Sequence, residues 1–284
     1  MEMRTLGRTG EKVSAYGFGG IVVKDTPQKE ANLIVAEAIA AGINYFDVAP
    51  GYGNAQDHLG PALKPYRKNV MLTCKTGVRD AKGARAEMED SLKKLETDYF
   101  DVYQLHGIDD PAEIDQALAP GGALEAVLAA QREGLVRFVG FSCHKPEAAL
   151  QLMSAFDFDT VLFPLNWTYW LAKDVGPQVI QAAKEKNRGI IAMKALAHRH
   201  WAEGEERSYP KCWYKPIFDD DKLAALALRF ILSQPVSVVL SSGDVRMFRL
   251  GLSIVQGEDG FQPLNECELE ELTSIAKANT QFMW

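Results

Sequence analysis

The sequence predicts an α/β fold: a (β/α)8 TIM barrel with an N-terminal β-hairpin and a C-terminal closing helix. Two observations carry this. Eight short β-branched or aromatic runs alternate with stretches of helical periodicity, the pattern of parallel strands joined by helical crossovers. The runs are apolar without strict alternation, as strands buried on both faces must be. The 284 residues suit one barrel of about 250 residues, and no long linker divides them, so a single domain over 1–284 is expected.

Taken in order, an alternating stretch around Gly7-Arg8-Thr9-Gly10 reads as the hairpin. The expected barrel strands are 16–20, 44–49, 70–75, 101–106, 138–142, 160–165, 190–194 and 236–241. Amphipathic helices are expected over 28–41, 84–95, 123–133, 146–155, 175–186, 221–233 and 245–255, with 265–278 closing the chain. The competing doubly wound fold rests on Gly17-Phe18-Gly19-Gly20. That segment lacks a third glycine and runs into Ile21-Val22-Val23 instead of a helix, a poor dinucleotide fingerprint. The long irregular stretch 195–220 is expected to be functional, because compact domains carry few loops of that length. Its Trp201, Trp213 and Tyr214 suggest an aromatic wall or simple packing.

A net charge of −7 argues against a general binder of nucleic acid or anionic membrane, and no apolar run is long enough to span a bilayer. Without an apolar leader, and with four scattered cysteines (74, 143, 212 and 267), the expectation is a cytoplasmic protein with reduced thiols. His198 and His200 form an HxH pair, but no carboxylate or cysteine pattern accompanies them, so no metal site is expected. No iron–sulfur cluster and no partner macromolecule are expected either, with a monomer as the default.

Barrel chemistry sits where strands end and βα loops begin. Asp47 ends the second run, Lys75 the third and His106 the fourth, while Tyr52 follows in the loop Pro50-Gly51-Tyr52-Gly53. Neighbouring strands lie about 4.8 Å apart, so these four can meet above one rim. Free phenol, with a pKa of about 10, is too weak an acid near neutrality. A nearby ammonium favours phenolate, so Lys75 is expected to sharpen Tyr52, with Asp47 holding Lys75 and His106 polarising a carbonyl. Each residue alone has a plainer reading: a helix cap for Asp47, solvated structure for Lys75 or His106, a loop residue for Tyr52.

The segment Asn-Tyr-Phe-Asp-Val-Ala-Pro-Gly-Tyr-Gly (44–53) resembles the Asp-Thr-Ala-x-x-Tyr-Gly signature of the aldo-keto reductase superfamily. Lys75 and His106 fall at the next two strand ends, as in that family. The resemblance implies an NAD(P)H-dependent oxidoreductase acting on aldehydes, ketones or the corresponding alcohols, with Tyr52 as general acid–base. The cofactor implied is NADP, with NAD possible, lying across the rim.

Further positions follow from the resemblance. Gly20 and Ile21 would face the cofactor after the first strand. Ser142 matches a Gly-x-Ser-Asn motif, with Cys143 in place of the amide. Asn166 would grip the carboxamide. In Ala192-Met193-Lys194-Ala195-Leu196, Met193 replaces a stacking aromatic, Lys194 would reach a phosphate and Leu196 would complete the segment. After the eighth strand, Ser242 and Gly243 open a helix that favours phosphate. Arg246 and Arg249 would hold a 2′-phosphate or else form a solvated helix face, and Asp244 opposes an anion there. A nicotinamide-binding regulatory protein and a Schiff-base enzyme using Lys75 are the competing functions. The complete tetrad speaks against the first, and a lysine kept charged by Asp47 against the second.

Overall fold

The computed structural model describes residues 1–279. Eight parallel strands close into a barrel: β1 (Tyr16–Gly19), β2 (Tyr45–Asp47), β3 (Met71–Thr76), β4 (Phe100–Leu105), β5 (Val136–Ser142), β6 (Thr160–Pro164), β7 (Gly189–Met193) and β8 (Val238–Leu240). The ring closes where Val239 of β8 pairs with Tyr16 of β1. The expected barrel and hairpin are both present.

Two apolar layers hold the ring. The barrel interior is filled by Tyr45, Met71, Val102, Leu162, Ile191 and Val238, while Phe18, Phe46, Leu72, Phe141 and Phe163 face the outer shell of helices. Alternation along each strand sorts the residues between the layers. The hairpin, Met3–Thr5 paired with Lys12–Ser14, adds Leu6 and Val13 to the interior cluster and so plugs the barrel floor. Gly7, at φ +50°, makes this possible, because a Cβ there would strike the backbone of Gly189 at the start of β7.

Several boundaries differ from expectation for local reasons. The helix expected from residue 84 begins at Ala81, since Asp80 caps it by accepting from Gly83 N at 2.8 Å. Three helices were not anticipated: Ala55–Leu63, Pro111–Leu118 and Trp167–Lys173. The first carries Gly60 and Pro61, which read as breakers. Gly60 is required instead by packing, because a Cβ there would lie 2.5 Å from the Lys94 carbonyl oxygen. After β1 the chain turns into a short 3-10 helix, Gly20–Val23. The stretch 195–220 is not wholly irregular: Ala197–Arg199 pairs with Lys215–Pro216. The closing helix, Glu266–Ala278, starts with a capping box between Asn265 and Glu268. No helix among the described residues is long and apolar enough to cross a membrane.

Candidate active site

The register shows why four residues meet. Tyr45, Met71 and Val102 point into the barrel, and so must residues two and four positions later. That places Asp47, Lys75 and His106 on the inward track at the strands' C-terminal ends. Asp47 pairs with Thr73, two residues before Lys75, and Lys75 pairs with Gln104, two residues before His106. Each strand therefore lifts its polar residue one inward step above its neighbour's, the stagger that closure imposes. The His106 N–H donates to the Thr76 carbonyl at 2.8 Å, extending the ladder beyond β4.

Lys75 is wholly buried, and its ammonium donates to Asp47 Oδ1 and, at 3.3 Å, to the Val48 carbonyl. Burial works against its charge, but the Asp47 carboxylate and then Tyr52 outweigh it, and its pKa lies above the ordinary value. A lysine held charged in this way is a poor Schiff-base nucleophile. The Tyr52 ring is partly buried, with Lys75 Nζ 5.3 Å from its centroid, near enough for the ammonium to favour the phenolate. It meets His106 edge-on at 6.0 Å.

The Tyr52 hydroxyl is not the sharpened acid that the sequence suggests. Burial raises its pKa, and Lys75 only partly offsets the rise. His106 is pushed down to about 3, by burial first and then by the charges of Lys75, His144 and Arg79, so its imidazole is neutral near pH 7.

Two neighbouring cavities, of about 100 and 330 Å³, share Tyr52, Leu162, Met193, Lys194, Trp213 and Tyr214 in their walls. The smaller runs past Gly19 and Ile21 to Ser241, Ser242 and Gly243. The larger reaches Gly51, His106, Ser142 and His144. Of the expected cofactor positions, Ile21, Ser142, Met193, Lys194, Ser242 and Gly243 line this cleft. Lys194 takes a left-handed backbone, φ 67°, and its Nζ sits 3.4 Å from Tyr214 Oη. Burial lowers its pKa to about 7, with Asp109 opposing.

Six expected positions are not brought to the cleft. Asn166 is wholly buried as a helix cap. Its amide nitrogen donates to the carbonyls of Lys194 (3.0 Å) and Ala197 (2.8 Å), and its oxygen accepts from Thr168 N and Tyr169 N. Its hydrogen-bonding capacity is therefore spent within the fold. Cys143 and Leu196 belong to the outer apolar layer. Gly20 is buried against Asp47 O and Val48. Arg246 is bound by Asp244 at 2.9 Å, and Arg249 by Glu37 at 2.8 Å.

The sequence reading passed over several residues that matter. Ser241 lines the cleft and accepts from Gly19 N at 2.9 Å. His144 lines it too, with Nδ1 2.8 Å from Asp109 Oδ2. In the 195–220 loop, Trp213 lies 5.5 Å from the Tyr52 ring, and both it and Tyr214 line the two cavities as an aromatic wall. Trp201 lines neither and donates to the Cys212 carbonyl at 3.0 Å. Lys211, next to the cavity-lining Cys212 and Trp213, ties this loop to the turn after β1, donating to Val22 O and Thr26 Oγ1, each at 3.0 Å. His198 and His200 are stacked on Trp167 and set against Tyr214.

Residues 15–216 match the model of the aldo/keto reductase family. The chain belongs to the aldo/keto reductase family. It is 28% identical to the aldo-keto reductase YhdN of Bacillus subtilis, over 83% of this chain and 82% of that one. It is 29% identical to L-galactose dehydrogenase of Arabidopsis thaliana, over 69% of this chain and 66% of the relative. Among solved structures, aldo-keto reductase AKR11C1 from Bacillus halodurans, in a holo form, superposes with a TM-score of 0.74. That likeness, at 23% identity over 98% and 97% of the two chains, is one of fold. The family is one of oxidoreductases, typically NAD(P)H-dependent.

Proposed function

We propose that this aldo/keto reductase interconverts aldehydes or ketones and the corresponding alcohols, with NADPH or NADH as cofactor and Tyr52 as general acid–base. The observation that carries the reading is the joining of Asp47, Lys75, Tyr52 and His106 at one end of a cleft whose other end is edged by glycine and serine.

The cleft suits a dinucleotide. A Cβ on Gly19 or Gly243 would strike backbone, and the side chains of Ser142, Ser241 and Ser242 bring hydroxyls to the walls. Asp47 Oδ2 is buried in the same wall without a protein partner among the described residues. Ile21, Met193, Lys194, Ser242 and Gly243 would hold the cofactor, which supplies hydride when bound.

The chain's own residues manage the proton. In reduction, Tyr52 gives its hydroxyl proton to the carbonyl oxygen as that oxygen gains charge. A raised pKa does not prevent this, because an alkoxide is a far stronger base than a phenolate. Lys75 stabilises the phenolate left behind, and Asp47 keeps Lys75 charged and aimed. Neutral His106 can donate one N–H to the same oxygen, orienting the carbonyl against Tyr52. In oxidation the roles reverse.

Tyr52→Phe keeps the ring and removes the proton. It should lower turnover by about 10²–10⁴, the span of lost general acid–base catalysis, with cofactor binding retained. Unchanged turnover across a panel of aldehydes and ketones would overturn the mechanism.

A further inference from the structure

We infer that this enzyme selects NADH over NADPH, and that Asp244 is the residue that sets the choice. The inference rests on the nicotinamide reading above and decides between its two cofactors.

NADPH differs from NADH by one phosphate dianion on the adenosine ribose. In (β/α)8 barrels the common phosphate site is built from the loops after the last two strands and the N-terminus of the helix that follows. Here that helix is Val245–Gln256, entered from Ser242 and Gly243 at the edge of the cleft. The backbone and the guanidinium of Arg246, the groups there best suited to greet a dianion, are already engaged by Asp244. The Arg246 N–H donates to Asp244 Oδ1 at 3.0 Å.

The arginine is engaged as well. Arg246 Nε donates to Asp244 Oδ1 at 2.9 Å, and one terminal nitrogen donates to Asp244 Oδ2 at 3.0 Å and to the Ser208 carbonyl at 2.7 Å. Its guanidinium lies 3.9 Å above the Tyr209 ring. The loop is fitted closely to this end, since a Cβ on Gly243 would fall 2.3 Å from the Lys211 carbonyl oxygen.

Asp244 does more than occupy its neighbours. It is a nearly buried carboxylate at the position where an anion would be drawn in. Burial alone would favour its neutral form, but Arg246 and then Lys211 hold its pKa below the ordinary value, so it is charged at neutral pH. A second anion placed here meets like charge where screening by water is weak, and it must displace a bidentate ion pair to reach Arg246. NADH, with a single hydroxyl in place of that phosphate, meets neither obstacle.

The test is cofactor binding by the full chain, read by tryptophan fluorescence quenching and by thermal shift, so turnover is not needed. The wild type should bind NADH tighter than NADPH by about tenfold or more. Asp244→Ser keeps a helix cap and removes the charge, and it should shift the Kd ratio toward NADPH by about tenfold. Should that variant misfold, competition in the wild type decides: 5′-AMP should displace NADH more readily than 2′,5′-ADP does. Equal or tighter binding of NADPH by the wild type, or a stronger effect of 2′,5′-ADP, overturns the inference. Binding of neither dinucleotide overturns the nicotinamide reading itself, and the preference with it.

Discussion

Lys75 reaches Asp47 across adjacent strands from one inward step higher, since Asp47 is in register with Thr73 and not with Lys75. The ammonium thereby leans back over the rim and touches the Asp47 carboxylate and the Val48 carbonyl together, beside the Tyr52 ring. A lysine directly opposite Asp47 would sit lower in the barrel. Stagger, not proximity along the chain, makes the proton donor's environment.

A first expectation concerns the stability of that pair. Both side chains are essentially buried, so removing one partner leaves the other's polar group poorly compensated. Asp47→Asn and Lys75→Met should each cost about 3–5 kcal/mol in urea denaturation. The double variant should cost clearly less than the summed single losses, with a coupling of roughly 1–3 kcal/mol. Strict additivity would show that the two charges do not depend on one another.

Much of this site was legible in the sequence, and the reason is geometric. Strand ends in a barrel converge on one rim, so Asp47, Lys75 and His106 could be placed from strand order alone. Tyr52 followed from its short loop. Side-chain hydrogen bonding was not legible. Asn166 carries the right groups for a carboxamide, yet helix capping and two carbonyls consume them. Arg246 has the right charge, yet Asp244 two residues earlier takes it. The helix Ala55–Leu63 was hidden because Gly60 and Pro61 carry a breaker signal that close packing against Lys94 and Leu95 overrides. The Tyr52 hydroxyl was misjudged because burial, which opposes Lys75, depends on the fold and not on spacing.

The depressed pKa of His106 makes a pH expectation with a definite sign. Its ordinary value is about 6.5, and in the fold it falls to about 3. Between those values the unfolded chain binds the extra proton and the native chain does not, so stability rises with pH across the window. Stability is complete above about pH 6.5 and is lost progressively as pH falls toward 3. From pH 6.5 to 5 this group alone should cost at most about 2 kcal/mol, at 1.36 kcal/mol per pH unit. His106→Asn should flatten the fall in the unfolding free energy, measured by urea denaturation, between pH 7 and 5 by up to that amount. An identical slope in both proteins would mean that His106 titrates near its ordinary value.

The strap formed by Lys211 should govern how fast the cofactor enters and leaves. Its Nζ joins the long loop, whose Cys212 and Trp213 wall the smaller cavity, to the Val22 carbonyl and the Thr26 hydroxyl. That cavity holds about 100 Å³, too little for a dinucleotide, so the loop wall that Lys211 ties down is expected to move aside as the cofactor enters. Hydrogen bonds from a charged donor contribute about 1.5–3 kcal/mol each, so losing both should favour the lifted state by tenfold or more. Lys211→Ala should therefore raise both the association and the dissociation rate of NADH by about tenfold in stopped-flow fluorescence. Kd should change less than either rate, because free and bound forms share the strap. Thr26→Ala, which removes one of the two bonds, should fall between wild type and Lys211→Ala. An association rate untouched by Lys211→Ala would mean that the cofactor enters by another route.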